Sequence, residues 1–308
     1  MNRICIIDIG TNSVLCLIAE KLENGTVSEK EQKVKSIGLG RYLSSRGELL
    51  KEGVDIVINI MNEWKKEIES SGIEQIIAVG THVFRRALNG KEVSGRISER
   101  TGIPFEILNE EQEAFYGFLG ATWGHKRGEK VLTIDVGGGS TEFVNGEEGS
   151  ITNFTSIDLG VVSSTEIFLK NDPPAPGSMR KLRRYVFDKL SGLNKQEYCN
   201  PETVICMGGT ATTLVALCLE LEKYDGQLVT GTVLNRIQIE KWQKMLSGRN
   251  LNERKKLLKV YPDRADVIVA GTVILNCIMD YLNIDRFIIS DRGLRFGIVL
   301  REFSGFTY

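Results

Sequence analysis

Histidine is almost missing from this chain: His82 and His125 are the only 2 in 308 residues, far apart in sequence. That excludes a histidine-rich metal centre and leaves no basis for a Ser-His-Asp triad. An excess of either charge is missing as well, with 39 Lys and Arg against 40 Asp and Glu and a formal net charge of −1. No DNA or RNA binding and no attraction to a membrane surface are expected from such a balance, so an anionic ligand must be met by local basic side chains and backbone N–H groups. No apolar run reaches the roughly 20 residues of a membrane span. The apolar start is interrupted at Asp8 and lacks a cleavage pattern, so no signal peptide is expected and the cytoplasm is the default location. None of the 6 cysteines pair as C-x-x-C, and most sit in apolar runs such as Ile4-Cys5-Ile6-Ile7. They are expected to be small buried thiols in a reducing compartment, not disulfides or zinc ligands.

What is present is an ordinary globular balance, 42% apolar and 26% charged, at a length that suits two domains each with its own core. Strand and helix patterns alternate in both halves, which argues an α/β fold. Strands are expected at 3–10, 13–22 and 26–37, a helix at 51–69 and strands at 76–79 and 104–108. Asn109 with Gln112 three residues later predicts a capped helix running to about 124. The segment 124–130 reads as a loop or hinge, giving domains at 1–124 and 125–308. In the second half strands are expected from 131 to 154, helices around 160–170 and 178–193, a strand at 204–209 and a helix after it. Helices over 235–258 and 263–282, a strand at 287–290 and a helix at 294–303 complete the chain. Asn171–Pro176 reads as a stiff linker, since proline fixes φ and breaks helices.

Each half opens on the same signature. The first is Ile7-Asp8-Ile9-Gly10-Thr11-Asn12-Ser13 and the second Ile134-Asp135-Val136-Gly137-Gly138-Gly139-Ser140. In both, an apolar strand ends at an aspartate, costly to bury unless it is paired or solvated. Glycines then allow a tight turn and close approach to a ligand, with N–H groups forming an anion-binding nest and Ser or Thr adding donors. Duplicated domains would place the two loops on opposite walls of one cleft. There is no G-x-x-x-x-G-K-[ST], which excludes a P-loop. Glu142 stands where a dinucleotide-binding G-x-G-x-x-G needs its last glycine, and a strand follows instead of a helix.

Six stretches in order, IDIGTNSV (7–14), VGTHVFRRALN (79–89), ILNEEQEAFYGF (107–118), TIDVGGGSTEFV (133–144), CMGGTATTL (206–214) and ISDRGLRFG (289–297), cover nearly the whole chain. Together they resemble the exopolyphosphatase / guanosine pentaphosphate phosphatase (Ppx/GppA) family. The resemblance implies an actin-like fold of the sugar kinase/Hsp70/actin type, with two ribonuclease-H-like domains and an interdomain cleft. It implies hydrolysis of a terminal phosphoanhydride that depends on Mg²⁺ or another divalent cation, in the short two-domain form of the family. The ligand implied is inorganic polyphosphate or a guanosine polyphosphate, which would place the protein in the stringent response. A homodimer is compatible with this reading.

The resemblance also carries residue roles. Glu113, immediately before Ala114, matches the glutamate that orients the attacking water. Asp135 and Glu142 match candidates for direct or water-mediated Mg²⁺ contacts, with Asp8 helping from the other loop; oxygen ligands suit that ion. Asn12, Ser13, Gly138, Gly139, Ser140 and Thr141 are expected to donate to phosphate oxygens. Arg85 matches the family arginine that grips phosphate, with Arg86 as the adjacent alternative; His82 is expected to be structural. Gly209 and Thr210, in Gly208-Gly209-Thr210, either contact the ligand or cap the helix that follows. Two departures stand out: Phe296 where relatives carry Glu in Leu-Arg-Glu-Gly, and Ser163 where they often carry Arg. Two other readings are an actin-like small-molecule kinase and a low-turnover regulator binding guanosine tetra- or pentaphosphate.

Overall fold

The computed structural model describes residues 2–304 apart from 69–70, 127, 148 and 199–200. The chain divides into two compact units, Met1–Gly120 with Leu294–Tyr308, and Ala121–Gly293.

In the first unit the apolar run Arg3–Ile9 forms β1, Ser13–Lys21 forms β2 and Val27–Ser36 forms β3. Helix α1 (Lys51–Ile68) leads to β4 (Gln75–Gly80), α2 (His82–Arg86), α3 (Gly90–Thr101), β5 (Phe105–Ile107) and α4 (Glu110–Thr122). The strand order is β3-β2-β1-β4-β5. The first three strands are antiparallel neighbours, while β4 and β5 run parallel to β1. Val54, Val57, Met61 and Trp64 of α1 share one buried core with Ile7 and Ile9 of β1. Each such side chain, fully buried, contributes about 1.5–3 kcal/mol. The expected capping box is present: Asn109 N–H donates to Gln112 Oε1 at 2.9 Å, and Gln112 N–H to Asn109 Oδ1 at 2.8 Å.

The second unit repeats this plan. Its elements are β6 (Val131–Val136), β7 (Thr141–Glu147), β8 (Ser150–Ile157), α5 (Val161–Phe168), α6 (Pro176–Leu190) and β9 (Thr203–Met207). Then follow α7 (Gly209–Cys218), α8 (Gly226–Val229), β10 (Val233–Asn235), α9 (Arg236–Ser247), α10 (Leu251–Leu257), α11 (Ile268–Leu282) and β11 (Arg286–Ile289). The order β10-β11-β9-β6-β7-β8, read from β8, matches β3-β2-β1-β4-β5 in sequence and direction, with β10 added as an antiparallel edge. Two ribonuclease-H-like units of this kind make the fold actin-like. Leu132, Ile134 and Val136 of β6 share a core with the almost wholly buried α11. Among the described residues no helix is long and apolar enough to cross a membrane.

The structure differs from the sequence reading in four places. The helical stretch 235–258 is two helices, because Asn250 starts a new capping box with Glu253. Residues 262–264 form a tight 3-10 turn at Pro262, so α11 begins only at Ile268. Strand β10 was not expected: three residues are too short to show a two-residue period. The last helix, α12 (Leu294–Ser304), belongs to the first unit and not to a 125–308 domain. It packs on β1 and β2. Lys21 Nζ donates to Phe303 O at 2.6 Å, Arg295 Nη1 donates to Cys16 O at 3.2 Å, and a side chain on Gly297 would overlap the Tyr116 backbone. Phe296 is buried on this helix.

The described cysteines are free thiols, four of them buried; Cys199 lies outside the described residues. Burial and the negative charge of Asp135 push the Cys206 thiol up, which keeps it protonated and inert.

Candidate active site

The two glycine-bearing loops have the same geometry. Gly10 N–H donates to Ser13 O at 3.0 Å, and Gly137 N–H donates to Ser140 O at 3.0 Å. The hairpins are in the same register: Asp8 lies opposite Leu15 and Ile9 opposite Val14, as Asp135 lies opposite Glu142 and Val136 opposite Thr141. The repeat seen in sequence is therefore a structural repeat down to individual residue pairs.

The loop carbonyls are clamped from one side. In the first loop Gly40 N–H donates to Thr11 O at 2.8 Å, and Ile37 and Gly38 N–H groups donate to Asn12 O at 2.9 and 2.8 Å. In the second, Val161 N–H donates to Gly137 O at 3.0 Å and Val162 N–H to Gly138 O at 2.9 Å, both from the first turn of α5. A trans peptide points its N–H opposite to its C=O. The N–H groups of Asn12, Gly138 and Gly139 are thereby turned away from these clamps, as an anion nest requires. Gly160 makes the second clamp possible, since a side chain there would overlap the Gly138–Gly139 peptide. No motif in the sequence marks this residue.

The side chains divide into two groups. Asn12 Nδ2 donates to Ser13 Oγ at 3.2 Å, and Ser13 Oγ lies 3.5 Å from Ser36 Oγ. Ser140 is buried. Thr141 is 0% exposed, and its hydroxyl donates to Leu159 O at 2.5 Å. That proton is committed, so Thr141 braces the loop and is not arranged as a ligand donor. Thr210 is likewise buried, its side chain filling the space that a side chain on Gly271 of α11 would take. What the Gly208-Gly209-Thr210 turn presents is backbone. Gly208 has φ of +92° and lets the turn pass beside the carboxylate of Asp135, whose Oδ1 would be 3.0 Å from a side-chain carbon there. The guanidinium of Arg264 lies directly over Gly209, and its carbon is 5.1 Å from the centre of the Tyr261 ring.

Asp135 and Glu142 are cross-strand partners, which puts both carboxylates on one face of the sheet. Glu142 is 6% exposed, and its Oε1 accepts from Ser156 Oγ at 3.1 Å. Among the described residues no group of three or more His, Cys, Asp and Glu side chains converges as a metal cage. Two carboxylates fit the habit of Mg²⁺, which keeps several waters and takes remaining ligands from substrate phosphates. In the first unit the position matching Glu142 is Leu15, so Asp8 has no second carboxylate opposite it.

Glu113 sits in the first turn of α4, behind the Asn109 cap. Arg85, on α2, donates from Nη1 to Glu113 Oε2 at 2.5 Å and to Leu108 O at 2.9 Å. The two side chains are 16% and 17% exposed. Burial pushes the Glu113 carboxyl above the usual glutamate range, and the neighbouring Arg85 opposes that shift. Arg85 Nε and Nη2, which form one fork of the guanidinium, are buried and have no hydrogen-bond partner among the described residues. Ser163 Oγ donates to Gly160 O at 3.2 Å, an interaction local to α5. His125 Nδ1 lies 3.7 Å from Glu129 Oε2, away from these groups in sequence.

Known proteins show the same arrangement of chain. Exopolyphosphatase 1 of Mycobacterium tuberculosis is 27% identical over 303 residues, spanning 97% of this chain and 88% of that protein. The bifunctional 3-dehydroquinate synthase/phosphatase of Fusobacterium nucleatum is 30% identical over 305 residues, spanning 96% of this chain and 46% of that protein. The crystal structure of the Aquifex aeolicus Ppx/GppA family member superposes with a TM-score of 0.82 at 33% identity, covering 100% of this chain and 99% of that one. The Ppx/GppA phosphatase family model matches residues 14–305, the stretch that holds Glu113, Arg85 and the whole second loop, and the chain belongs to that family.

Proposed function

We propose that this protein is a divalent-cation-dependent phosphoanhydride hydrolase that releases terminal orthophosphate from inorganic polyphosphate, guanosine pentaphosphate or both. The observation that carries the reading is the Arg85 guanidinium. One nitrogen holds Glu113 at 2.5 Å, while the Nε/Nη2 fork has no partner among the described residues. A fork of that shape matches two oxygens of a phosphate. One side chain thereby ties the base to the phosphate it serves.

In this reading Glu113 accepts a proton from a water whose oxygen attacks the terminal phosphorus. The anhydride P–O bond breaks, and the leaving chain takes the negative charge. Phosphoryl transfer needs positioning and charge stabilisation above all. Asn12, Ser13, Gly138, Gly139 and Ser140 supply donors to phosphate oxygens, and Gly209 and Thr210 do so through backbone N–H groups. Asp135 and Glu142, with Asp8, would hold Mg²⁺, which when bound neutralises phosphate charge.

The test is phosphate release from long-chain polyphosphate, guanosine pentaphosphate and a nucleoside triphosphate side by side, with and without Mg²⁺. Glu113→Gln is expected to lower release by about 100-fold or more while substrate binding persists. Release that needs an added alcohol or carboxylate acceptor would overturn the reading.

A further inference from the structure

Helix α2, which carries Arg85, is only five residues long, His82–Arg86. A single helical turn has no stability of its own, so its place is set by what holds it. Val83 and Phe84 bury one side of it. At its start, Thr81 N–H donates to Ile9 O at 3.3 Å, where the first glycine loop begins. Beyond its end the chain meets residues 47–49. Leu88 N–H donates to Gly47 O at 2.8 Å. The Asn89 amide then makes two bonds to one residue: Leu49 N–H donates to Asn89 Oδ1 at 2.9 Å, and Asn89 Nδ2 donates to Leu49 O at 3.1 Å. The amide stands in for a neighbouring strand, taking both backbone groups of Leu49. Only Asn and Gln carry a donor and an acceptor together in one planar side-chain amide.

Leu49 belongs to the segment that clamps the first loop. It bridges Leu43, and Leu50 N–H donates to Tyr42 O at 2.8 Å. Just before, Ile37, Gly38 and Gly40 give the N–H groups that hold Thr11 O and Asn12 O. Asn89 therefore joins the backbone that fixes the first loop to the turn that presents Arg85. All of these residues lie in the first unit.

This use of Asn89 is made at the expense of its own helix. Asn89 precedes α3 at the N-cap position, where asparagine is favoured because its side chain accepts from the helix's own N–H groups. Asn89 makes no such bond. Asparagines at the same position elsewhere in the chain do: Asn109 accepts from Gln112 N–H, Asn235 from Gln238 N–H and Asn250 from Glu253 N–H. The stability of α3 does not account for this choice of partner.

We propose that Asn89 is a positioning residue for phosphate binding: it holds the Arg85 guanidinium in register with the donors of the first loop, so that both reach one phosphate group. This rests on the reading that Arg85 and the Asp8–Ser13 loop bind the substrate's phosphates.

The experiment takes Asn89→Asp and Asn89→Ala in the full chain, each alone and combined with Arg85→Met. It measures phosphate release from long-chain polyphosphate and guanosine pentaphosphate, the pH profile of kcat and the melting temperature. In Asn89→Asp the new carboxylate is repelled by Leu49 O and favoured at the start of α3. The tie is lost while the melting temperature stays near native. Asn89→Ala loses the tie and gains no cap, so its melting temperature falls. Both are expected to lower kcat/KM by about tenfold. Glu113 is acted on by the charges of Arg85 and Glu110, and a displaced Arg85 opposes its burial less, so the acid limb of kcat moves to higher pH in both. With Arg85→Met already present, neither substitution is expected to lower kcat/KM further by more than about twofold. A loss in Asn89→Ala with native kcat/KM in Asn89→Asp is a stability effect and would overturn the proposal. So would losses that multiply in the double variants, or an acid limb that moves in Arg85→Met but in neither Asn89 variant. The hydrolase reading stands in each of those cases. If the acid limb moves in none of the variants, the kcat/KM comparison alone decides. Native turnover in Arg85→Met would overturn the reading of Arg85, and the proposal with it.

Discussion

Arg85 and Glu113 meet at 2.5 Å through the same guanidinium nitrogen that reaches the Leu108 carbonyl at 2.9 Å. The backbone contact fixes the guanidinium, and the guanidinium fixes the carboxylate. Burial raises the Glu113 pKa and Arg85 holds it down, so the position of this group on the pH scale reflects the balance between them.

The proposed base, Glu113, works only when ionised, so phosphate release is expected to fall as pH drops through its pKa, at a pH above the ordinary glutamate range. Removing Arg85 removes the opposing influence. In Arg85→Met the acid limb of the kcat profile therefore moves to higher pH, and KM rises because the phosphate fork is lost. An acid limb that stays in place in Arg85→Met would show that Glu113 is not the group titrating.

Much of this was legible in the sequence for a physical reason: the loops are built by short-range rules. Strand patterns ending at Asp8 and Asp135, followed by glycine, fix a hairpin turn almost alone, and the repeat appears in the structure with the register of Asp8 and Asp135 preserved. The Asn109–Gln112 capping box is equally local and is present. What could not be read are contacts between residues far apart in the chain. Gly160 against Gly138, Ser156 on Glu142 and Arg264 over Gly209 leave no periodic or compositional trace. The same holds for α12 returning to β1 and β2, and for Thr141, whose commitment to Leu159 O turns an expected ligand donor into a brace.

Gly160→Ala tests the clamp on the second loop. The added carbon overlaps the Gly138–Gly139 peptide, which is backbone and cannot rotate aside. The loop must shift or α5 must retreat. A displacement of this kind at a positioned ligand is expected to lower kcat/KM by about 100-fold, with a stability cost of about 1–3 kcal/mol. Phosphate release together with the denaturant midpoint separates the two effects: a folded variant with native activity would show that the clamp does not position the loop.

Ser156→Ala addresses the carboxylate pair. Glu142 is buried, and Ser156 donates to its Oε1 at 3.1 Å. Partners of metal-binding carboxylates typically contribute 10–100-fold in affinity. The variant is expected to need about tenfold more Mg²⁺ for half-maximal release, with kcat at saturating Mg²⁺ near native. Glu142→Gln, which removes the charge itself, is expected to lower activity at any Mg²⁺ concentration. A Mg²⁺ titration of both variants that matches the native curve would place the ion elsewhere.

Gly297→Ala isolates the return of α12 to the first unit. A side-chain carbon at this position overlaps the backbone of Tyr116, which belongs to α4 three residues beyond Glu113. Helix α12 can move away only by loosening the Arg295 bond to Cys16 O and the Lys21 bond to Phe303 O. Overpacking against backbone is expected to cost about 1–3 kcal/mol, although alanine is the better helix former. The strain also presses on the turn of α4 that carries Glu113, the proposed base, so kcat should fall together with the melting temperature. Leu300→Ala, a buried position on the same helix, serves as the control: it should lower the melting temperature through a cavity while leaving kcat near native. Equal losses of kcat in both variants would show that α12 acts on the site only through the stability of its unit.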